Sequence, residues 1–361
     1  MQLSKSSFYS WLSKFLVLNG LHTFYYSRKR QRLVDSRMLR VYCLIHHCLC
    51  VVAGVRMLYI SHDNPRVCVS TLTMGGTTLC IMVTCWRGRD GMRKVLEELL
   101  YVDRKHFMGQ PSGCPLQARY YLKMVLVGIT LLRIHFFYPI YMKRMLSSMS
   151  VLNVASYWLL YNMLLAAVLE FYSLLWQVCR SYKLINDHMS QLLARSRVRN
   201  RASQTRRWLH LYSKMLSLTR QVGREYEYCG VCVLACKSWF QITFGYEIFV
   251  MLTAPQSLNL GPHLRIFVIL SYLLDALNLY FSTDIAELFA QLREDSLRLL
   301  RETTQMDRLL SAFTLELTLH PKRIEFLNVF AFDRRLTLTL MAKSLLYTIC
   351  WLQGDYMTLK R

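Results

Sequence analysis

VLNVASYWLLYNMLLAAVLEFYSLLW, residues 151–176, runs for 26 positions with Glu170 as its single charged side chain. A bilayer core about 30 Å thick takes roughly 20 helical residues, so a stretch this long and this apolar reads as a membrane-spanning helix. Stretches of comparable length recur at 41–60, 67–86, 121–141, 228–252, 264–282 and 336–353. Those at 151–176 and 228–252 are the clearest. The first stretch carries His46, His47 and Arg56 and the last carries Lys343, so these two rest on length and flanks more than on hydropathy. The reading is an all-α membrane protein of seven transmembrane helices, with residues 1–40 preceding a single membrane domain at 41–361.

Composition agrees. Of 361 residues, 53% are hydrophobic and only 19% charged, whereas a soluble domain carries about a quarter. Seven Trp, 22 Tyr and 17 Phe supply rings of the kind that collect at membrane interfaces. The net charge of +23 would point to nucleic acid if it formed one basic face. Here the Lys and Arg lie between apolar stretches, and no nucleic-acid partner is expected. Cys43, Cys48, Cys50, Cys68, Cys80, Cys85, Cys229, Cys232, Cys236 and Cys350 all fall in apolar stretches, where a reduced thiol packs as a small hydrophobe. Lys14 interrupts the apolar patch near the start, and no small-residue cleavage site follows it before Arg28, so the patch does not read as a removed signal peptide.

The placement of Lys and Arg sets the orientation, since cytoplasmic connections are enriched in them. Arg28, Lys29, Arg30 and Arg32, then Arg87, Arg89, Arg93 and Lys94, then the run from Arg195 to Arg207, then Arg293, Arg298, Arg301, Lys322 and Arg323 fall in alternate connections. The other connections offer only Arg66, Lys143 and Arg144. The N-terminus is therefore expected inside and the tail from Gly354 to Arg361 outside, opposite to a G-protein-coupled receptor. The connections at about 87–120, 177–227 and 283–335 are cytoplasmic on this reading. Leu184, Ile185, Met189, Leu192 and Leu193 recur at helical spacing, as do Trp208, Leu211, Tyr212, Met215 and Val222, and Ile285, Leu288, Phe289 and Leu292. Helices four, five and six are expected to continue as amphipathic helices that form an anchor bundle. The alternative is that they lie flat on anionic lipid.

Toward the C-terminus stands Leu346-Tyr347-Thr348-Ile349-Cys350-Trp351-Leu352-Gln353-Gly354, preceded by Phe330-Ala331-Phe332-Asp333-Arg334-Arg335-Leu336. This resembles the C-terminal signature of the insect gustatory receptor family: a Thr-Tyr pair, five apolar residues, then Gln-Phe, after a Phe-x-Leu-Asn/Asp-Arg-x-Leu segment. Tyr347 and Gln353 fall on the signature Tyr and Gln, and Phe330, Asp333 and Arg334 on the upstream segment. Leu346 stands where Thr is usual and Gly354 where Phe is usual. The resemblance implies a tastant-gated, non-selective cation channel of taste neurons. It would be a tetramer alone or with other gustatory receptor subunits, in the plasma membrane, with the last helix lining the pore. An insect odorant receptor subunit is the nearest rival, and a seven-helix receptor coupled to G proteins a further one. Bitter or aversive compounds are favoured by family size, not by any residue.

Leu346, Ile349, Cys350 and Gln353 share one helix face. An amide at its end can replace part of an ion's hydration shell, and apolar residues below it can close the passage by dewetting. This is the candidate pore face; the bland alternative is a packing face with an interfacial Gln. Lys343 lies close to the same face. Lys123 and Glu170, near the inner ends of their spans, are expected to snorkel. Counting about 1.5 Å per residue, Arg133 and Asp275 lie roughly 18 and 12 Å deep, within reach of each other, although separate water-filled surroundings are favoured. Adjacent His46 and His47 point in different directions and read as packed rather than metal-binding. No P-loop, dinucleotide fingerprint, His-Glu-x-x-His or Gly-x-Ser-x-Gly occurs, so neither an enzyme nor a cofactor is expected. Internal repeats with broken helices, the mark of many transporters, are not apparent.

Overall fold

The computed structural model describes residues 5–107, 114–137, 139–140, 150–194, 201–253, 262–301, 308–319, 323–327 and 330–359. Three long helices organise it: α6 (Val151–Ala194), α7 (Arg201–Thr253) and α8 (Pro262–Arg301). At about 1.5 Å per residue each exceeds the thickness of a bilayer core, as the continuing amphipathic periodicity requires. Around them stand α2 (Arg37–Ser61), α3 (Pro65–Arg87), α4 (Arg89–Phe107), α5 (Cys114–Leu132), α9 (Arg308–Leu319) and α10 (Arg334–Leu359). Asn64 caps α3, its side chain accepting from the Val67 amide at 3.4 Å, with Pro65 in the first turn where its missing N–H costs nothing.

Among the described residues, five helices are long and apolar enough to cross a membrane: Arg37–Ser61, Val67–Arg87, Pro115–Phe137, Val151–Leu192 and Leu264–Arg301. Their outward faces are apolar, with Leu44, Leu49 and Val52 on α2, Leu122, Val125 and Ile129 on α5, and Ile266, Ile269 and Leu273 on α8 exposed. His46, His47, Lys123, Arg133 and Asp275 face inward. Apolar outside and polar inside is the arrangement lipid imposes. The stretches at 228–252 and 336–353 lie in α7 and α10, helical throughout but more polar. The sequence ranks 228–252 among the clearest spans, yet Lys237, Gln241 and Glu247 dilute it, and all three are turned inward and buried.

At one end the extensions of α6, α7 and α8 pack as a bundle. Tyr182 meets Tyr212 and Phe289 edge-on at 4.8 and 5.4 Å between ring centroids, and Tyr212 meets Phe313 of α9 at 5.4 Å. The Tyr212 hydroxyl donates to Ser296 at 2.9 Å, and Ser296 to Asn186 at 2.7 Å. Ile185, Tyr212, Met215, Val222, Ile285 and Phe289 are buried, whereas Leu192 and Leu288 are half-buried. The apolar faces thus cover one another within the chain, which the flat-lying alternative does not require.

The segment before α2 is not a featureless flank. Helix α1 (Lys5–Leu18) leads into a two-stranded antiparallel hairpin, β1 (Phe24–Ser27) and β2 (Arg32–Asp35), pairing Phe24 with Asp35 and Ser27 with Arg32. Arg28, Lys29 and Arg30 form its tip. Phe24, Tyr26 and Leu33 pack on Leu100 of α4. Asp35 pairs with Arg40 of α2 at 2.6 Å and Arg89 of α4 at 2.9 Å. The Arg40 hydrogen bond and the charge of Arg89 hold its carboxyl below the usual carboxylate value. Gly20, at φ +72°, turns the chain from α1 into the hairpin, and a Cβ there would lie 2.5 Å from Nδ1 of His46.

Candidate pore face and buried charged centre

Helix α10 begins at the motif residues. Asp333 accepts from the Leu336 amide at 3.0 Å and pairs with Arg323 at 2.6 Å, so it both caps the helix and ties it to the chain just before Glu325. Arg334 forms an ion pair with Asp284 of α8. Strands β3 (Glu325–Phe326) and β4 (Phe330–Ala331) form a short hairpin before α10. Phe330 is exposed, while Phe326 and Phe332 pack on Phe171 of α6 at 5.8 and 5.6 Å. Of the motif positions, Asp333 and Arg334 secure the start of the helix.

Along α10 the buried side is made of small polar residues, Thr337, Ser344 and Thr348. The Thr337 and Thr283 hydroxyls are 2.6 Å apart, and Thr348, 4% exposed, donates to the Ser344 and Ile242 carbonyls. Such residues let helix backbones approach closely, and a Cβ at Gly245 of α7 would stand 3.1 Å from the Thr348 hydroxyl. Trp351 lies edge-on to Trp239 and Tyr246. Leu346 is 59% exposed, and Ile349, Cys350 and Gln353 are exposed as well. So are Leu345, Tyr347 and Lys343, making the open side of α10 wider than the four-residue face alone. Cys350 and Cys48 depart from the expectation of buried thiols.

Deep in the membrane domain, Asp275 of α8 is 1% exposed, with Oδ1 2.8 Å from the Lys237 ammonium of α7 and Oδ2 3.6 Å from the Arg133 guanidinium. Tyr161 of α6 accepts from Arg133 at 3.1 Å and Lys237 at 3.0 Å, and donates to Asp275 at 3.4 Å. Arg133 also donates to the Ser271 carbonyl at 3.1 Å. The separate surroundings favoured for Arg133 and Asp275 are therefore corrected: they pair, because a third side chain, Lys237, and the Tyr161 hydroxyl complete the solvation that each would otherwise lack. Arg133 opens a π-helical turn, Arg133–Phe137, a widening that re-aims side chains and is frequent at functional sites.

Lys237 escaped the sequence reading, although the same depth count places it about 14 Å from residue 228, close to the depth of Asp275. Snorkelling is corrected for both inner-end charges. Lys123 is fully buried and donates to the Asn278 carbonyl at 2.9 Å, the Asn278 side chain at 3.1 Å and Ser282 at 3.0 Å. Glu170 is buried against His22 at 2.6 Å, a partner delivered by the loop before the hairpin. His46 and His47 are packed, as expected. Nε2–H of His47 donates to the Gly20 carbonyl at 2.9 Å and its Nδ1 accepts from Trp86 at 2.7 Å. A cavity of about 50 Å³ runs from Lys237, Asn278 and Ser282 to the Phe171, Phe326 and Phe332 cluster beneath α10.

A helical, multi-pass membrane protein results, with a charged knot holding four segments and a last helix packed along one side only. The sequence pattern described as 7tm Chemosensory receptor matches residues 10–358, and the chain belongs to that family. Among solved structures, the insect olfactory receptor OR5 from Machilis hrabei in complex with eugenol is similar with a TM-score of 0.68. That match covers 96% of this chain and 98% of the other at 13% identity. A second structure of that receptor gives a TM-score of 0.66 at 14% identity, over 95% and 97% of the two chains. At such identity the likeness speaks for the fold. No protein of curated function matches the chain in sequence.

Proposed function

We propose that this chain is a gustatory chemoreceptor subunit, a tastant-gated non-selective cation channel in the plasma membrane of taste neurons, with dendrites as the site of action. Seven spans with the N-terminus inside, and a homo- or hetero-tetramer with other gustatory receptor subunits, complete the reading. Family membership supports the chemosensory role, and Tyr347 and Gln353 favour the gustatory branch. The observation that carries the channel reading is the asymmetry of α10. One side is bonded to α8 through Thr337 and to α7 through Thr348, with Ser344 buried on the same side, while Leu346, Ile349, Cys350 and Gln353 are open in the single protomer. Four copies of that face around an axis would make an apolar constriction with an amide ring at its end, and the dewetting and coordination argument then applies. The open Lys343 side chain would stand in a wide vestibule.

Cysteine substitution tests this. With Cys350 first changed to Ser, thiol reagent applied during ligand-evoked current should block at Leu346→Cys, Ile349→Cys and Gln353→Cys, and spare Thr348→Cys. Gln353→Ala should alter relative ion permeability. A channel that opens yet is insensitive at all three positions would place the pore on another helix. The olfactory reading has the structural likeness in its favour, and a calcium-influx screen over sugars, bitter compounds and volatile odorants decides between them. Responses that require G proteins would replace both.

A further inference from the structure

A cavity of about 320 Å³ opens where α7 and α8 leave the predicted membrane boundary, beside β3. Arg220 and Arg224 of α7, Arg293 of α8 and Arg323 line it together with Glu227 and Glu325. Arg220 and Arg224 stand four residues apart, one turn of one helix face, and both are exposed. Arg293 is 2% exposed at the back of the cavity, and one of its nitrogens donates to the Leu317 carbonyl of α9 at 2.6 Å. Arg323 bridges to Asp333 at the start of α10. Guanidinium forks from three separate elements converge on one concave space, and such forks match phosphate oxygens two at a time.

Depth narrows the ligand class. Counting about 1.5 Å per residue along α7, Arg224 lies roughly 6 Å and Arg220 roughly 12 Å below residue 228, the inner end of the predicted span. Arg224 thus lies within the headgroup layer, about 5–7 Å thick, and Arg220 just below it, where groups that project from the headgroups reach. We propose that this cavity binds a polyphosphorylated inositol ring, presented by a phosphoinositide of the adjoining leaflet or free in solution, and that its occupancy bears on α10 through Arg323 and Asp333. This goes beyond the channel reading, and its test needs no current.

The full-length receptor is purified and placed in nanodiscs of phosphatidylcholine, phosphatidylcholine with phosphatidylserine, or phosphatidylcholine with phosphatidylinositol bisphosphate at matched charge. Soluble inositol hexakisphosphate is titrated into the first. The bisphosphate lipid should raise Tm above the serine lipid. The R220Q/R224Q variant should lose that rise, with an affinity weakened roughly tenfold or more. R206Q/R207Q removes the same charge from exposed positions farther along α7 and should keep the response. A response to hexakisphosphate alone, lost in R220Q/R224Q, supports the site with a soluble source; a response to the lipid alone assigns the membrane. Equal effects of serine and bisphosphate lipid with no response to hexakisphosphate, or equal losses in both double variants, overturn the proposal. Because all four altered side chains are exposed, Tm in plain phosphatidylcholine should match the parent, and R220K/R224K, which keeps the charge, should retain most of the binding.

Discussion

Asp275 serves two cations with one carboxylate, and the consequences of removing each partner differ in size. Asp275→Asn leaves Lys237 and Arg133 buried without a counter-charge and should cost about 3–5 kcal/mol, read as a large drop in Tm or in folded receptor at the surface. Lys237→Met leaves Asp275 with Arg133 and should cost less. The double variant should fall short of the sum, since the two residues share one network. Outside the membrane, Asp35 carries a pH signature. Its pairing with Arg40 and Arg89 lowers the folded-state value, so its stabilisation is complete above the ordinary carboxylate pKa of about 4 and is lost as pH falls through the lower folded-state value. Wild type should therefore lose Tm in that acid range faster than Asp35→Asn, and parallel curves would show that the pair contributes nothing. Depth counting brought Arg133 within reach of Asp275. It left their pairing open because position along a helix axis says nothing of rotation about it, and rotation is what brings Lys237 and Tyr161 into the same space.

Helices α7 and α10 show where close approach is built into an element. A Cβ at Gly230 would lie 2.7–3.0 Å from the Phe326 ring, so Gly230→Ala should displace the β3–β4 hairpin and cost about 1–3 kcal/mol, whereas Gly128→Ala, with open space around it, should be neutral. In the anchor bundle, Met215 is fully buried and Leu288 half-buried. Met215→Asp should abolish folded protomer, while Leu288→Asp should leave more of it, measured by fluorescence-detected size exclusion. The long α6, α7 and α8 were legible because amphipathic periodicity continues past the apolar stretches without Pro or Gly clusters. The N-terminal hairpin was not: Phe24, Tyr25 and Tyr26 sit beside a basic run, and burying one face of that ribbon becomes favourable only where Leu96 and Leu100 of α4 and Tyr9 of α1 come to cover it.

For the whole molecule, the distribution of Lys and Arg makes a statement that labelling can check. An N-terminal tag should react with antibody only after permeabilisation, and a C-terminal tag in intact cells. The reverse pattern would dismiss the channel reading. Apolar stretches of bilayer length, basic connections and helical periodicity were sufficient to identify a helical membrane protein and its long extensions, because lipid forces every backbone group into local hydrogen bonds and so makes helix placement a property of the chain alone. Helix α7 bounds that rule: its buried Lys237, Gln241 and Glu247 make it the less apolar partner, since polar groups inside a bundle are solvated by other helices rather than by their own surroundings in sequence. The pairing of Arg133 with Asp275, the contact of Glu170 with His22, the four-arginine cavity and the choice of which side of α10 is packed were decided only by tertiary structure. Each joins residues from elements distant in the chain, and short-range interactions between side chains depend on how the helices are rotated and packed, which no local pattern specifies.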